Sequence, residues 1–376
     1  MKKKWKVRYV YLEEQFEKQR PYLSKISEVV RRGDFTLGKE LTEFEKKCTN
    51  LIGVKHAIGV ATGTDALYLP LKAMGITTGD EIITVPNTFV ATVAAIALTG
   101  AKPVFVDVKD DYTIDPILIE RAISRRTRAI LPVHLTGNSA DLYPILKLAK
   151  KHKLFVIEDA AQAFLTLYDK KPVGSFGLAA GFSFHPLKLL HVWGDGGMIT
   201  TNDDKLAGNL RLWRNHGLRT RNEVEFFAHN SRLHTIQAAV ALTLLPQLPR
   251  IIEKRRKNAA LYKKLLRRLE PMVHIPENNC EAPTRSIYAN FVIQVQNRRE
   301  LINHLNRKGI EVVIQYPTPL HLQEAALYLG YKKGDFPVTE KQADSILTLP
   351  NHQHLSSSQI KYVSDTVSEF YTKSKR

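Results

Sequence analysis

The sequence predicts an α/β protein, with a three-layer large domain built on a mostly parallel mixed sheet and a smaller α+β domain at the C-terminal end. Three observations support this fold class. Short apolar segments alternate with helical segments between residues 56 and 157, as expected for parallel strands covered on both faces. The 376 residues suit a large domain plus a smaller one. A basic amphipathic helix from residue 250 leads out of the first unit, so we expect domains at 1–255 and 256–376.

The elements follow in chain order. Apolar residues recur with helical period over residues 11–32, where Arg32-Gly33-Asp34 ends the helix, and a second helix covers 40–51. The predicted strands are 56–61, 81–85, 102–106, 129–133, 155–157, 180–184 and 198–201, and the helices among them are 62–74, 90–99, 141–151, 206–214 and 235–244. The basic helix 250–268 then leads to strands at 289–295 and 312–315 and to helices at 299–308 and 357–372.

Charge and cysteine content narrow the functional classes. The formal net charge of +18 suits nucleic-acid binding, attraction of anionic substrates, or solubility alone. The basic residues are dispersed and no zinc-finger spacing accompanies them, so we do not expect a primary nucleic-acid role. Cys48 and Cys280 are far apart and lack metal-ligand spacing, which indicates a reducing compartment, no disulfide framework and no metal site. No apolar run approaches the roughly 20 residues of a membrane span, and the N-terminus lacks a signal-peptide core, so we expect a cytoplasmic protein.

One segment, residues 180–202, has the form of a reactive site. A short strand runs into a turn at Pro186 that ends at Lys188, and the loop Gly194-Asp195-Gly196-Gly197 follows before the next strand. A lysine between apolar neighbours loses its proton more easily than one in water, and it can then form a Schiff base with a carbonyl. Taken alone, an ordinary exposed loop lysine is the simpler interpretation of Lys188.

Three other segments lie just past the ends of predicted strands, namely Thr62-Gly63-Thr64-Asp65, Phe89 and Glu158-Asp159. Since ligands of parallel sheets bind beyond the carboxyl ends of the strands, these segments can converge on one crevice. A glycine turn before a helix offers N–H groups and a helix dipole to a phosphate, although N-capping by a threonine explains the same residues. Asp159 and Gln162 could present a carboxylate and an amide to one planar ligand, whereas capping of the next helix is the alternative.

Taken together, the segments resemble a known family. They are Gly33-Asp34-Phe35-Thr36-Leu37-Gly38, Gly63-Thr64-Asp65-Ala66-Leu67, Asn87-Thr88-Phe89-Val90-Ala91-Thr92, Glu158-Asp159-Ala160-Ala161-Gln162, Ser183-Phe184-His185-Pro186-Leu187-Lys188, Gly194-Asp195-Gly196-Gly197, Asn230-Ser231-Arg232 and Pro319-Leu320-His321. In their order and spacing they are similar to the sugar aminotransferase branch of the fold-type I pyridoxal-phosphate enzymes, often called the DegT/DnrJ family. The similarity runs nearly end to end.

The resemblance implies a role for each site residue. The lysine matching Lys188 forms a Schiff base with pyridoxal phosphate, and the carboxylate matching Asp159 pairs with the pyridine nitrogen, which lets the ring act as an electron sink. At the other matching positions, Gln162 contacts the ring hydroxyl and Phe89 stacks on the ring. The phosphate is held by Gly63, Thr64, the Asp65 backbone and Ser183. The residue matching Asn230 reaches the phosphate of the neighbouring subunit, which implies a homodimer with shared active sites.

The resemblance also implies a reaction, in which an amino group passes from L-glutamate to the cofactor and then to a keto sugar, with Lys188 as general base and acid. Members with histidine at the lysine position catalyse dehydration instead, so Lys188 favours transamination. His185 and His321 are candidate substrate contacts, with ordinary packed or loop histidines as the alternative.

The sequence leaves the class of keto substrate undetermined. Residues 189–193 depart from the commoner family versions, which leaves a nucleotide-linked 3-keto or 4-keto sugar, a keto sugar phosphate or a keto cyclitol. The alternative from another class is a regulatory or nucleic-acid-binding protein that has kept the fold and lost the chemistry. The intact set of Lys188, Asp159 and Gln162 argues against that loss.

Overall fold

A computed structural model describes residues 5–277 and 280–373. Its helices are α1 (Leu12–Gln15), α2 (Arg20–Arg32), α3 (Lys39–Ile52), α4 (Gly63–Ala73), α5 (Val90–Ala97), α6 (Pro116–Ala122), α7 (Leu142–His152), α8 (Asp204–Trp213), α9 (Thr235–Leu244), α10 (Leu248–Leu266), α11 (Arg298–Arg307), α12 (Pro337–Ser345) and α13 (Ser357–Lys373). Its strands are β1 (His56–Val60), β2 (Glu81–Thr84), β3 (Lys102–Phe105), β4 (Thr127–Ile130), β5 (Phe155–Asp159), β6 (Leu167–Tyr168), β7 (Lys171–Pro172), β8 (Ala179–Ser183), β9 (Gly197–Thr201), β10 (Leu218–Thr220), β11 (Glu223–Val224), β12 (Val273–His274), β13 (Thr284–Arg285), β14 (Phe291–Val295) and β15 (Ile346–Leu349).

The central sheet has seven strands in the order β1-β9-β8-β5-β4-β2-β3. Strands β3, β2, β4, β5 and β8 run parallel, whereas β9 pairs antiparallel with both β8 and β1. The predicted α/β class with a mostly parallel mixed sheet is therefore confirmed. Because every parallel strand ends at the same edge, the loops after β1, β2, β5 and β8 meet there.

Helices cover both faces of this sheet, which makes the three layers. The side chains of Ala57 and Met198 face the core cluster formed with α3 and α9, and those of Ile58 and Ile199 face the cluster formed with α4 and α8. This alternation follows from the two-residue period of a strand. Both faces are apolar because neither meets water.

The C-terminal part contains an antiparallel sheet in the order β12-β14-β15. It packs on α10, α11 and α13 through a cluster that includes Tyr262, Phe291 and Val363. Val7 lies in the same cluster and forms a parallel bridge with Ile310, so the N-terminal segment is attached to this part of the chain. Helix α10 contributes to the cores of both parts. The division at residue 255 stays a prediction.

Two sequence-based assignments were wrong. Residues 11–32 form two helices, α1 and α2, with a break at 16–19, because Pro21 fits the first turn of a helix but not a helix interior. The predicted strand 312–315 is reduced to a single bridge between Val313 and Thr348, and β15 takes the place beside β14. Strand pairing depends on contacts distant in sequence, which local pattern does not report. The predicted end of α2 is correct, since Gly33 has the left-handed φ of +67° that ends a helix.

One helical stretch, Thr235–Leu269, is long and apolar enough to cross a membrane by length and composition alone. This corrects the expectation that no segment approaches that length. In the structure the stretch includes α9 and α10, and Ala238, Val240 and Leu244 lie fully buried in the core of the large sheet. With 56% of its apolar window buried within the protein, it consists of core helices.

Candidate active site

A cavity of about 390 Å³ opens at the carboxyl edge of the central sheet. It brings together eight of the predicted site residues. Gly63 and Thr64 begin α4, Phe89 precedes α5, and Ser183 ends β8. The other four are Asp159, Gln162, His185 and Lys188. The crevice expected from strand order is therefore present.

The N-terminus of α4 forms one wall of the cavity. Thr62 caps the helix, since its Oγ1 accepts from the Asp65 N–H at 3.0 Å and donates to the Asp65 carboxylate at 2.8 Å. A Cβ on Gly63 would lie 2.7 Å from the Ser183 Cβ, and one on Gly197 would lie 2.2 Å from the Thr62 carbonyl oxygen. Only glycine permits these approaches. The result is a cradle of first-turn N–H groups next to a serine hydroxyl, which suits an anion.

Lys188 lies in the loop between β8 and β9. Its backbone N–H donates to the His185 carbonyl at 2.8 Å, and its own carbonyl accepts from Nδ1 of the buried His191 at 2.9 Å. Burial lowers the pKa of the Lys188 amine, while the nearby charge of Asp159 acts in the opposite direction. Burial also lowers the pKa of His191 to about 4, so this histidine is neutral and fixes the loop. Lys188 is thus an amine that gives up its proton more readily than a surface lysine.

Asp159 lies at the end of β5 and is 5% exposed. Its Oδ2 accepts from the Thr92 hydroxyl at 2.7 Å, and its Oδ1 accepts from the Ala161 N–H at 3.1 Å. Burial raises the pKa of this carboxyl, and the two hydrogen bonds and the charge of Lys188 partly oppose the rise. Turns rather than a helix directly follow Asp159, so it is not a helix cap. A buried carboxylate with room beside it suits a protonated ring nitrogen.

Glu158, the preceding residue, points away from the cavity. Its carboxylate accepts from the N–H groups of Gly174, Phe176 and Gly177 at 2.7, 2.9 and 2.7 Å. It also accepts from Nε2 of His134 at 3.1 Å. Because Nδ1 of His134 accepts from the Ala140 N–H, the proton of a neutral imidazole is on Nε2. Glu158 therefore links the loop at His134 to the loop at residues 174–177 through hydrogen bonds.

Gln162 has a defined amide orientation. Its Oε1 accepts from the Thr136 N–H at 3.0 Å and from Nδ2 of Asn290 at 3.2 Å, and its Nε2 lies 3.5 Å from the Tyr316 hydroxyl. Thr136 has a φ of +61°, which is rare for a β-branched residue. Phe89 is 53% exposed and packs on the Tyr316 ring with centroids 5.9 Å apart. The site thus offers an amide N–H group and an aromatic face.

Three predicted residues do not line the cavity. The side chain of Asp65 bonds to Thr62, and its N–H is used by the same cap. His321 is 1% exposed and lies between the Glu340 carboxylate and the Phe336 ring, so its role as a substrate contact stays a prediction. Asn230 is exposed, and its Oδ1 accepts from Arg232.

Several residues that line the cavity were not predicted as site residues, and they include Tyr9, Thr92, His134, Asn290 and Tyr316. Two carried a local signal, because Thr92 lies one helical turn after Thr88 and His134 follows a predicted strand. Tyr9 and Asn290 carried none, since the fold brings them from the chain's N-terminal segment and from just before β14.

These residues fit pyridoxal phosphate. The glycine cradle with Ser183 suits the phosphate, Asp159 suits the pyridine nitrogen, Phe89 suits the ring face, and Lys188 supplies the amine that binds the carbonyl. Across the described residues, 5–277 and 280–373, no group of three or more His, Cys, Asp or Glu residues could hold a metal ion.

Comparison with known proteins agrees with this geometry. Residues 17–368 match the DegT/DnrJ/EryC1/StrS aminotransferase family. A pleiotropic regulatory protein of Geobacillus stearothermophilus is 41% identical over 96% of this chain and 97% of its own length. The dTDP-3-amino-3,4,6-trideoxy-alpha-D-glucose transaminase of Streptomyces venezuelae is 40% identical over 92% of this chain and 90% of its own.

The structural comparison extends over the whole fold. The crystal structure of S. venezuelae DesV superimposes with a TM-score of 0.93 and 38% identity, over 97% of this chain and 98% of that one. Other solved structures with this fold include forms with the cofactor in its PMP and PLP states. The chain belongs to the DegT/DnrJ/EryC1/StrS aminotransferase family and is a pyridoxal-phosphate enzyme.

Proposed function

We propose that this protein transfers an amino group from L-glutamate to a keto sugar carried on a nucleotide, in the biosynthesis of an amino sugar. One observation carries the proposal. The Lys188 amine, whose pKa burial lowers, shares a cavity with the buried carboxylate of Asp159 and with the glycine cradle of α4. An amine, a ring-nitrogen partner and a phosphate site in one cavity are the set that such a transfer needs.

The chain's own residues divide the work. Bound pyridoxal phosphate supplies a carbonyl for amines and a ring that accepts electrons. Lys188 holds the cofactor, and its freed Nζ then moves a proton as general base and acid. Asp159 keeps the ring nitrogen protonated, while Gln162 and Phe89 orient the ring. Gly63, Thr64 and Ser183 bind the phosphate, and His185 lines the same cavity as a candidate substrate contact.

The carrier is proposed from charge and from the relatives. The net charge of +18 attracts a nucleotide diphosphate, and the S. venezuelae relative is named for a dTDP-linked 3-amino sugar. We propose a nucleotide-linked 3-keto or 4-keto sugar as acceptor. A keto sugar phosphate or keto cyclitol is the alternative acceptor.

We also propose a homodimer with shared active sites. Asn230 is exposed and lies close in sequence to Phe227, which is 98% exposed, and to Val224 in the β10–β11 hairpin, which is 53% exposed. Such exposure of large apolar side chains indicates a covered surface. The family resemblance implies that Asn230 of a second copy reaches the phosphate. Phe227→Asp should weaken the dimer in light scattering. A monomeric wild type at micromolar concentration would refute this proposal.

The function is tested on the purified protein. Wild type should take up pyridoxal phosphate with a visible absorption band that glutamate bleaches, and borohydride should fix the cofactor on Lys188, as peptide mass spectrometry would show. Lys188→Ala should lose turnover, and the exposed Lys205→Ala is the matched control. A screen of keto sugar nucleotides and keto sugar phosphates identifies the acceptor. A wild type that binds no cofactor, or an active Lys188→Ala, would overturn the assignment.

The second candidate is a regulatory protein, favoured by the name of the 41% identical relative and by the positive charge. It predicts steeply salt-dependent DNA binding and no glutamate-driven spectral change. Fluorescence anisotropy with a DNA duplex at two salt concentrations separates it from the enzyme.

We propose a cytoplasmic location, because neither Cys48 nor Cys280 forms a disulfide in the structure. Cell fractionation tests this location.

A further inference from the structure

A chain of hydrogen bonds joins the N-terminal segment to Gln162. The Tyr9 hydroxyl donates to Oδ1 of Asn290 at 2.9 Å, and Nδ2 of Asn290 donates to Oε1 of Gln162 at 3.2 Å. All three side chains line the cavity. They come from the N-terminus, from the loop before β14 and from the loop after β5, so the chain of bonds exists only in the folded protein.

The direction of this chain is set by the backbone. The Thr136 N–H can only donate, so the atom of Gln162 that faces it at 3.0 Å must be the carbonyl oxygen. The same oxygen requires a donor from Asn290, and the amide oxygen of Asn290 must then face the Tyr9 hydroxyl. The orientations of both side-chain amides are thereby fixed, and Gln162 directs its N–H group toward Tyr316 and the cavity.

Tyr9 is held firmly at the start of the chain of bonds. The Glu311 carboxylate accepts from the N–H groups of Tyr9 and Val10 at 2.8 and 3.2 Å. Burial raises the pKa of Tyr9 to about 12, against the opposing effects of Arg255 and Gln315, so its hydroxyl keeps the proton it donates. The N-terminal segment therefore presents a fixed donor to Asn290.

We propose that Tyr9 and Asn290 are positioning residues that hold the Gln162 amide with its N–H group toward the ring oxygen of the bound cofactor. This inference rests on the proposed function. Connected hydrogen bonds strengthen one another in a buried site. Tyr9 thus acts on the cofactor through two other side chains.

The test uses the full-length holoenzyme with Tyr9→Phe, Asn290→Asp and Gln162→Glu. Tyr9→Phe removes one donor, so the dissociation constant of pyridoxal phosphate should rise roughly three- to tenfold. Asn290→Asp sets an oxygen against an oxygen, so a rise of more than about tenfold is expected. In all three variants the pH at which the bound cofactor changes colour should rise. The N–H donor beside the ring oxygen is removed in Gln162→Glu and loses its fixed position in the other two, and either change destabilises the more negative form.

A double-mutant cycle separates positioning from structural support. Gln162→Glu cannot donate, so adding Tyr9→Phe to it should leave the pH of the colour change where Gln162→Glu alone puts it. Additive shifts, or a Tyr9→Phe protein with wild-type affinity and colour change, would overturn the proposal. The exposed Tyr328→Phe is the control and should match wild type. If wild type bound no cofactor, the proposed function would fail instead.

Discussion

Glu158 and Asp159 are adjacent, chemically similar and both buried at the end of β5, yet they do different work. Glu158 faces His134 and three backbone N–H groups, and these hydrogen bonds outweigh burial and lower its pKa. Asp159 faces the cavity with two donors, and burial raises its pKa. Adjacent strand residues point to opposite faces. A carboxylate with a full set of partners supports structure, whereas one with unused capacity is available to a ligand.

The largest expected effect is the loss of turnover in Asp159→Asn. An amide cannot stabilise a protonated ring nitrogen, so turnover should fall roughly 10²- to 10³-fold, as on removal of one preorganised electrostatic partner. Unfolding free energy should fall by less than in Glu158→Gln, because the Thr92 hydroxyl can turn and accept from the new amide, although the Lys188 amine loses a nearby opposite charge. Steady-state kinetics and chemical denaturation measure the two quantities. Near-normal turnover would show that Asp159 is not the ring partner.

Glu158→Gln should change the unfolding free energy more than Asp159→Asn does. The new amide group sets a donor against N–H groups that need an acceptor, so unfolding free energy should fall by about 3 kcal/mol. Denaturant titration of the cofactor-free protein measures this loss. Glu223→Gln, at an exposed position, is the control and should stay within about 0.5 kcal/mol of wild type. An unchanged stability would mean that Glu158 is not structural.

Thr92→Val removes one of the two hydrogen-bond donors to Asp159. The pKa of Asp159 should rise further, because its charged form loses a hydrogen bond. Turnover should fall about three- to tenfold, with the acid limb of the pH–rate profile displaced to higher pH. Thr88→Val leaves the donor to Asp159 in place and should have the smaller effect. Equal profiles for the two variants would count against this role.

The smallest expected effect is on stability against pH in the cofactor-free protein. Glu158 has a lowered folded pKa, so its stabilisation is present above the ordinary value of 4.5 and is lost as pH falls through the folded pKa. Asp159 has a raised folded pKa, so stability is gained as pH falls through it toward 3.8. Glu158→Gln should abolish the loss and Asp159→Asn the gain. Unfolding free energies measured at a series of acidic pH values give the dependence of stability on pH for each variant. The same dependence in the two variants would contradict the different roles of Glu158 and Asp159.

Much of the site was predictable, because it lies at the ends of strands and in the segments that directly follow them. Lys188, Asp159, Gln162 and the glycine turn at Gly63 were located on strand order and on resemblance, and the structure brings them into one cavity. The surroundings of His321 could not be predicted, because its sequence context does not report that Glu340 and Phe336 enclose it. Tyr9 and Asn290 were missed because no local pattern connects residues so far apart.

The sequence by itself determined the chemical groups of this protein and the order of its sheet-forming segments, since both depend on residue type and on local periodicity. Only the tertiary structure decided how those groups are used. Which of Glu158 and Asp159 meets the cavity depends on the packing of β5, and the direction of the Gln162 amide depends on the backbone N–H of Thr136. Hydrogen bonds are directional and join distant segments, so their geometry exists only once the chain has folded.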